Sequence, residues 1–241
     1  MKKLFFSVIL LFSAVMIASC SKKENNPAVP ENTESQTNNQ TTPSVPKLFF
    51  KGPNTSVVNE ITNQIKNFIS GFNNYSLPLS SAFASVQPKN SGNEWKWVLS
   101  HDNGATETFT AISNADGSFT WNVTYNGTIN AVSYTNWKAM EGTTSKDGKS
   151  GEWKIYKDNT AIVAAKISWS NNSSAVTGTL TVYENSVLQS KTEIVNNSNQ
   201  AGALKYYGEG PTILWEADWN ADGTGTWKTY SSGLVRNSGK F

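Results

Sequence analysis

The chain has 241 residues, of which 12% are aromatic and 16% are charged, with 20 Lys and Arg against 18 Asp and Glu. A charge this close to neutral excludes the basic surface that drives nucleic-acid binding, so we expect no nucleic-acid partner. With one cysteine and one histidine, the sequence also predicts no disulfide framework, no metal site and no cofactor.

The N-terminus, MKKLFFSVILLFSAVMIASC, is organised like a secretory signal peptide. Lys2 and Lys3 give it a positive start, and small residues follow the apolar run from Leu4 to Ala18. That run is shorter than the roughly 20 residues that a membrane-spanning helix needs. Removal of this segment takes away Lys2 and Lys3, so the mature chain carries 18 residues of each charge and is neutral.

The residues Ile17-Ala18-Ser19-Cys20 resemble the lipobox of bacterial lipoproteins. The resemblance implies that residues 1–19 are cleaved off and that acyl chains, palmitate among them, are attached to Cys20. Chains of this kind anchor a protein stably, so the bilayer is the first expected partner. In that family a serine after the cysteine favours the outer membrane, and here Ser21 follows. We therefore expect a lipid-anchored protein of the cell envelope; the leaflet it faces stays open.

After Cys20 the composition changes to that of a disordered linker. Residues 20–46 are rich in Asn, Thr, Glu and Pro and contain few large apolar groups. As a coil this segment spans on the order of 30 Å, which holds the rest of the chain away from the membrane. Residues 47–241 have the length of a single β-rich domain.

The domain begins with one predicted helix over residues 54–72. Its apolar residues recur at spacings of three and four, with polar residues on the opposite face, which is the pattern of an amphipathic helix packed on a sheet. Asn54, Thr55 or Ser56 can cap its start, and Gly71 lies near its predicted end.

From Asn93 onward the hydrophobic period changes from three or four to two. The segments 94–100, 118–125 and 212–219 alternate aromatic or aliphatic residues with polar ones. Dipeptides typical of tight turns separate the strands: Asn103-Gly104, Asp116-Gly117, Asn126-Gly127, Asp147-Gly148 and Asp222-Gly223. No helix intervenes, so we predict a mainly β fold, an antiparallel meander of about ten strands.

Some of the hairpins repeat in sequence. NADGSFTW at 114–121 returns as NADGTGTW at 220–227, and two stretches share a Gly-x-Trp-x-x-Tyr pattern. Gly151, Trp153 and Tyr156 match in one, and the other is its echo at 225–230. This pattern is similar to MORN-type hairpin repeats, which implies consecutive hairpins.

A meander of this length must close on itself or protect its edges. We therefore weigh two architectures: a barrel that the N-terminal helix plugs or flanks, and a curved half-barrel wrapped around the helix. The second is similar in layout to periplasmic lipoprotein carriers such as the Lol proteins.

No catalytic constellation stands out. His101 is the single histidine, and the carboxylates cannot be paired from one sequence. We predict a non-catalytic binding or structural module, with two alternatives: a carrier of an apolar ligand inside the curved sheet, and a glycan-acting hydrolase. The candidate ligand-binding residues are clustered aromatics, which offer flat apolar area to a glycan or lipid; they are Trp95, Trp97, Trp215, Trp219 and Trp227. The sequence names no protein partner.

Overall fold

The computed structural model describes residues 48–50, 60–76, 89–101, 103–129 and 131–241. The predicted signal peptide, Cys20, the linker and the predicted helix caps lie outside these residues. The described residues contain one helix and one antiparallel sheet.

The helix, α1, extends over Glu60–Ser76. Its inward stripe has the predicted spacing, with Thr62, Ile65, Ile69 and Phe72 buried. The predicted end near Gly71 is wrong, because the helix continues for a further turn through Ser76. The cost of a glycine inside a helix is about 1 kcal/mol, which burial of Phe72 beyond it offsets.

Every strand pairs antiparallel with its neighbours in sequence, as the meander prediction required. The strands are β1 (Lys89–Ser91), β2 (Glu94–Ser100), β3 (Thr106–Ser113), β4 (Phe119–Ile129), β5 (Val132–Thr144), β6 (Ser150–Tyr156), β7 (Val163–Asn171), β8 (Ala175–Glu184), β9 (Val187–Asn197), β10 (Gly202–Tyr207), β11 (Ile213–Trp219), β12 (Gly225–Ser231) and β13 (Leu234–Lys240).

The sheet is open, so the closed-barrel alternative is wrong. Its described strands follow the order β1 to β13, with β1 and β13 at the two ends. The predicted count of about ten strands is also too low, since twelve strands of six or more residues follow the three-residue β1.

The register gives the sheet one apolar face, which we call the core face. Cross-strand pairing places Trp97, Phe109 and Val123 side by side on this face. Rows of paired core-face residues continue in the same way across the later strands to β12. Helix α1 covers its later part. The ring of Phe68 lies 5.6 Å from that of Tyr206 on β10 and 5.9 Å from that of Trp215 on β11.

The predicted turns are confirmed at four of the five dipeptides. Gly104, Gly117, Gly148 and Gly223 all have a positive φ between consecutive strands. The fifth prediction is wrong, because Asn126-Gly127 lies inside β4. Gly127, with φ +93°, sits at a register shift between β4 and β5, and a Cβ there would lie 2.8 Å from the backbone of Ala105. It forms part of a β-bulge rather than a turn.

The two NADG copies fold into the same turn. In the first, the Gly117 amide donates to the Asn114 carbonyl, and the Asp116 carboxylate accepts from Ser118. In the second, Gly223 donates to Asn220, and Asp222 accepts from Thr224 in the same way. The shared residues therefore specify turn chemistry, with the aspartate capping the turn.

Candidate functional site

A six-residue unit, Gly-x-x-Lys-x-Tyr, occurs three times, on β6, β10 and β12. The copies begin at Gly151, Gly202 and Gly225. In each one the lysine and tyrosine lie on the face opposite the core face, which we call the outer face. The sequence pattern built on tryptophan identifies two copies, and it misses the copy on β10 because Leu204 occupies the tryptophan position.

The glycine of each copy makes room for an aromatic ring, which comes from the following strand in the first two copies and from the residue after the following strand in the third. A Cβ would lie less than 3.0 Å from the indole of Trp169 at Gly151, from that of Trp219 at Gly202, and from the ring of Phe241 at Gly225. Real Cβ atoms do not make contacts this short, so a side chain at these positions requires the ring or strand to move. The rings stack on bare backbone, which compensates for the weak strand preference of glycine.

The lysine and tyrosine of each copy flank a glutamate on the preceding strand. Lys154 lies opposite Glu141, Lys205 opposite Glu193, and Lys228 opposite Glu216. The tyrosine two residues further on donates its hydroxyl to that glutamate in every copy, with O–O distances of 2.5, 2.7 and 2.6 Å for Tyr156, Tyr207 and Tyr230. The outer face is thus a repeated hydrogen-bonded surface.

In the first copy, the hydrogen bonds around Glu141 shift the pKa of this carboxyl and that of Tyr156. Hydrogen bonds from Lys138 and Tyr156, with a further one from Lys154, lower the pKa of Glu141 to about 2. In return, burial and the hydrogen bond to Glu141 raise the pKa of Tyr156 to about 12. The carboxylate is therefore stabilised in its charged form, as expected for an acceptor of several donors.

This arrangement predicts acid sensitivity of the sheet. The folded-state pKa of Glu141 lies below the value near 4.3 of an unfolded chain, so its stabilisation is present above that pH and is lost toward pH 2. We expect Glu141→Gln to flatten the fall in thermal midpoint between about pH 5 and pH 2. Glu152→Gln is the control, since Glu152 is exposed on β6 and forms no ion pair with the described residues. Parallel pH profiles for wild type and Glu141→Gln would contradict the assignment.

The five tryptophans predicted to bind ligand all lie on the core face, in two separate groups. Trp95 and Trp97 are on β2, where Trp97 packs against Phe109 with ring centroids 5.4 Å apart. Trp215, Trp219 and Trp227 are on β11 and β12, nine strands further along the sheet. Three of the five are buried, namely Trp97, Trp215 and Trp219; the other two are half-buried.

A short extended segment, Leu48–Phe50, crosses the core face and is held by two asparagines. Asn73 of α1 donates to the carbonyl of Leu48 and accepts from its amide, both at 2.9 Å. Asn196 of β9 forms the same pair of hydrogen bonds with the backbone of Phe49, both at 2.8 Å. The side-chain amides replace a neighbouring strand, so the backbone groups of Leu48 and Phe49 are satisfied without one.

These two asparagine contacts orient the three side chains of the segment. Leu48 and Phe50 are buried, and the ring of Phe50 lies 5.2 Å from that of Trp219. Phe49 points the other way and is 51% exposed. Alternation along an extended chain is the reason, since successive side chains point to opposite sides.

The exposed Phe49 side chain borders an open cleft of about 360 Å³ at the ends of strands β7, β8 and β9. Its lining consists of the amide residues Asn171, Asn172, Asn196, Asn197 and Gln200, together with Ser198 and the apolar residues Ala175 and Val176. None of the described lining residues is charged. Sequence reasoning misses this cleft, because its residues come from strand ends, from turns and from a segment 120 or more positions away in the chain.

A second cluster surrounds Glu107 on β3. The hydroxyl of Tyr125 donates to its carboxylate at 3.0 Å, and the rings of Tyr125, Tyr134 and Trp137 stack with centroids 5.0–5.8 Å apart. Burial raises the pKa of Glu107, an effect that Tyr125 and His101 partly oppose. The described contacts of this carboxylate include no second carboxylate, so the geometry is that of a packed aromatic corner.

Two general properties bear on the class of protein. No helix among the described residues has the length and apolar character needed to cross a bilayer. In the same residues no three histidine, cysteine or acidic side chains are grouped as metal ligands would be.

Comparison with known proteins places the chain in no group. No known protein-family model matches it, and no curated protein is similar to it in sequence.

Proposed function

We propose that this chain is an envelope lipoprotein, tethered through acylated Cys20 to the outer membrane, whose sheet is a non-catalytic binding or structural module. The observation that supports a non-catalytic module is that the aromatic side chains of the core face are packed within the fold. Its largest aromatic residues are buried against each other, against glycine backbone and against α1. Side chains occupied in this way support the fold and leave binding to the surface.

The same observation argues against the carrier alternative. A carrier needs an apolar cavity of several hundred Å³. The described cleft has that size, but amide groups line much of it, and none of the five candidate tryptophans borders it. The cleft thus places amides beside the apolar side chains of Phe49, Ala175 and Val176, which suits a ligand with both kinds of group better than a purely apolar one.

The hydrolase alternative has one observation in its favour, the raised pKa of Glu107. Glycoside hydrolysis uses two carboxylates that flank the bond to be broken. Glu107 is hydrogen-bonded to Tyr125 within stacked rings, and it is outside the cleft lining. A module without catalysis fits this arrangement better.

The tether is tested by Cys20→Ala. We expect the wild-type protein to incorporate labelled palmitate and to sediment with outer membranes, whereas the variant takes up no label and is soluble or remains as precursor. Labelling and fractionation in parallel provide the readout. A wild-type protein without label, together with a variant that still sediments with membranes, would refute the lipoprotein proposal.

A further inference from the structure

The amide-lined cleft next to Phe49 has the properties of a binding site for a neutral polyhydroxy ligand. Its side chains are mainly amides, which both donate and accept hydrogen bonds, as sugar hydroxyls do. The volume of about 360 Å³ lies at the lower end of small-molecule sites, and the open shape lets a longer chain extend beyond it.

Several of these polar groups are free to bind. The side-chain amides of Asn171, Asn197 and Gln200 form no hydrogen bond within the described part of the chain. Asn196, by contrast, uses both of its amide atoms to hold Phe49. The cleft therefore combines the Asn196–Phe49 contact with amides at strand ends and in a turn that have no hydrogen-bond partner among the described residues.

Phe49 supplies the apolar part of the site. Its backbone is fixed at both polar groups by Asn196, and its neighbours Leu48 and Phe50 are buried anchors. The ring is thus held in a half-exposed position that loses little entropy on binding. Sugar rings have one face of C–H groups, which packs on the flat face of an aromatic ring.

The lining also discriminates between ligand classes. A charged ligand would be partly desolvated without a counter-charge in the described lining. A purely apolar ligand packs on Phe49, Ala175 and Val176 but covers the amides of the lining and leaves them unpaired, which is unfavourable. A neutral oligosaccharide satisfies the amides and the ring together.

We propose that this cleft binds a neutral oligosaccharide, with Phe49 as the stacking surface and Asn171, Asn197 and Gln200 as hydrogen-bonding groups. The inference rests on the proposed function, since it names the ligand class of a non-catalytic module. It moves the candidate binding residues from the tryptophans of the core face to the strand ends and turns that surround Phe49.

Calorimetric titration of the full-length lipoprotein in polyoxyethylene-ether micelles, which carry no sugar headgroup, tests this. The probes are the neutral glucose hexamers cellohexaose, maltohexaose and laminarihexaose, with hexagalacturonate and palmitate as contrasts. We expect at least one neutral hexamer to bind saturably with a Kd on the order of 0.1–1 mM, and neither contrast to compete.

Variants assign the binding to the cleft. Phe49→Ala should weaken binding about tenfold or more, whereas Phe49→Trp, which keeps a flat ring, should retain it. Asn171→Ala should weaken it about three- to tenfold. Leu234→Ala and Asn237→Ala are the matched controls, since both residues are exposed on β13 away from the cleft. Thermal melts accompany each titration to show that the variants are folded.

The outcomes separate the two proposals. The glycan site is overturned if no neutral hexamer binds up to about 10 mM, or if Phe49→Ala leaves the affinity unchanged. The module proposal survives either result as long as membrane attachment depends on Cys20. Saturable palmitate binding that Phe49→Ala does not affect would overturn the module proposal in favour of the carrier, because it would place an apolar ligand away from the cleft. Cleavage of a hexamer during the titration would overturn the non-catalytic proposal alone.

Discussion

Replacing Trp219 by alanine is expected to lower the free energy of unfolding by about 3–5 kcal/mol. The indole is only 3% exposed, and its cross-strand partners on both sides are glycines, Gly202 and Gly225. Neither glycine has a side chain that could fill the space, and Phe50 would lose its contact with the Trp219 ring and keep that with Phe241. Denaturant unfolding followed by circular dichroism gives the value.

The control for this change is Trp227→Ala on the next strand. Trp227 is half-buried and lies against Gly239 near the sheet edge. We expect its loss to cost clearly less than that of Trp219, because part of its surface is already in water. Equal and small effects at both positions would show that the core face is not tightly packed and would reopen the binding role of these tryptophans.

Replacing Gly202 by alanine is the second large effect that we expect, a loss of about 1–3 kcal/mol. The new Cβ would lie less than 3.0 Å from both the Trp219 ring and the carbonyl oxygen of Val195 on β9. The backbone contact cannot be relieved by a rotamer change, so the strand itself must move.

Gly210→Ala is the matched control, since a Cβ at Gly210 meets nothing within 4 Å. We expect this control to be neutral or slightly stabilising, because alanine restricts the unfolded chain. Thermal and denaturant midpoints of both variants provide the comparison. A Gly202→Ala protein as stable as its Gly210→Ala control would contradict the ring-on-glycine packing.

Much of the architecture can be predicted from local sequence pattern. The period of two over segments such as 94–100, the glycine turns and the absence of intervening helices predict an antiparallel meander, and the described sheet confirms it. The pattern fails where strands lack large apolar residues. In β8, Gly178 occupies a core-face position because Phe72 and Leu48 pack on it, a requirement that only the tertiary structure reveals.

The choice between a closed and an open sheet could not be read from the strands. A sheet is closed when its first and last strands pair with each other. The sequences of these two strands carry no feature that indicates whether they pair. The structure leaves β13 as a mostly exposed end strand, with a register shift at Tyr230. Bulges of this kind are one way in which edge strands avoid pairing with other chains.

The candidate site was harder to predict for a related reason. Clustered tryptophans are the strongest aromatic signal in the sequence, but the register directs all five candidates to the core face. The exposed ring, Phe49, belongs to a segment outside the strands, and its orientation depends on Asn196, 147 residues away. Sequence pattern carries no information on such a contact.

The proposed binding role assigns ligands to the surface because the core face is packed. Native-state hydrogen exchange of the nine indole N–H groups, observed by nitrogen-15 NMR, tests this packing most directly. Trp153 and Trp219 are the decisive probes, because their indole nitrogens are buried and have no hydrogen-bond partner among the described residues. Burial alone must protect them, so we predict exchange only through global unfolding, and faster exchange for the half-buried Trp95 and Trp227. Rapid exchange at Trp153 and Trp219 in the native state would contradict the packing, because it would show that water, and hence a ligand, reaches the core face.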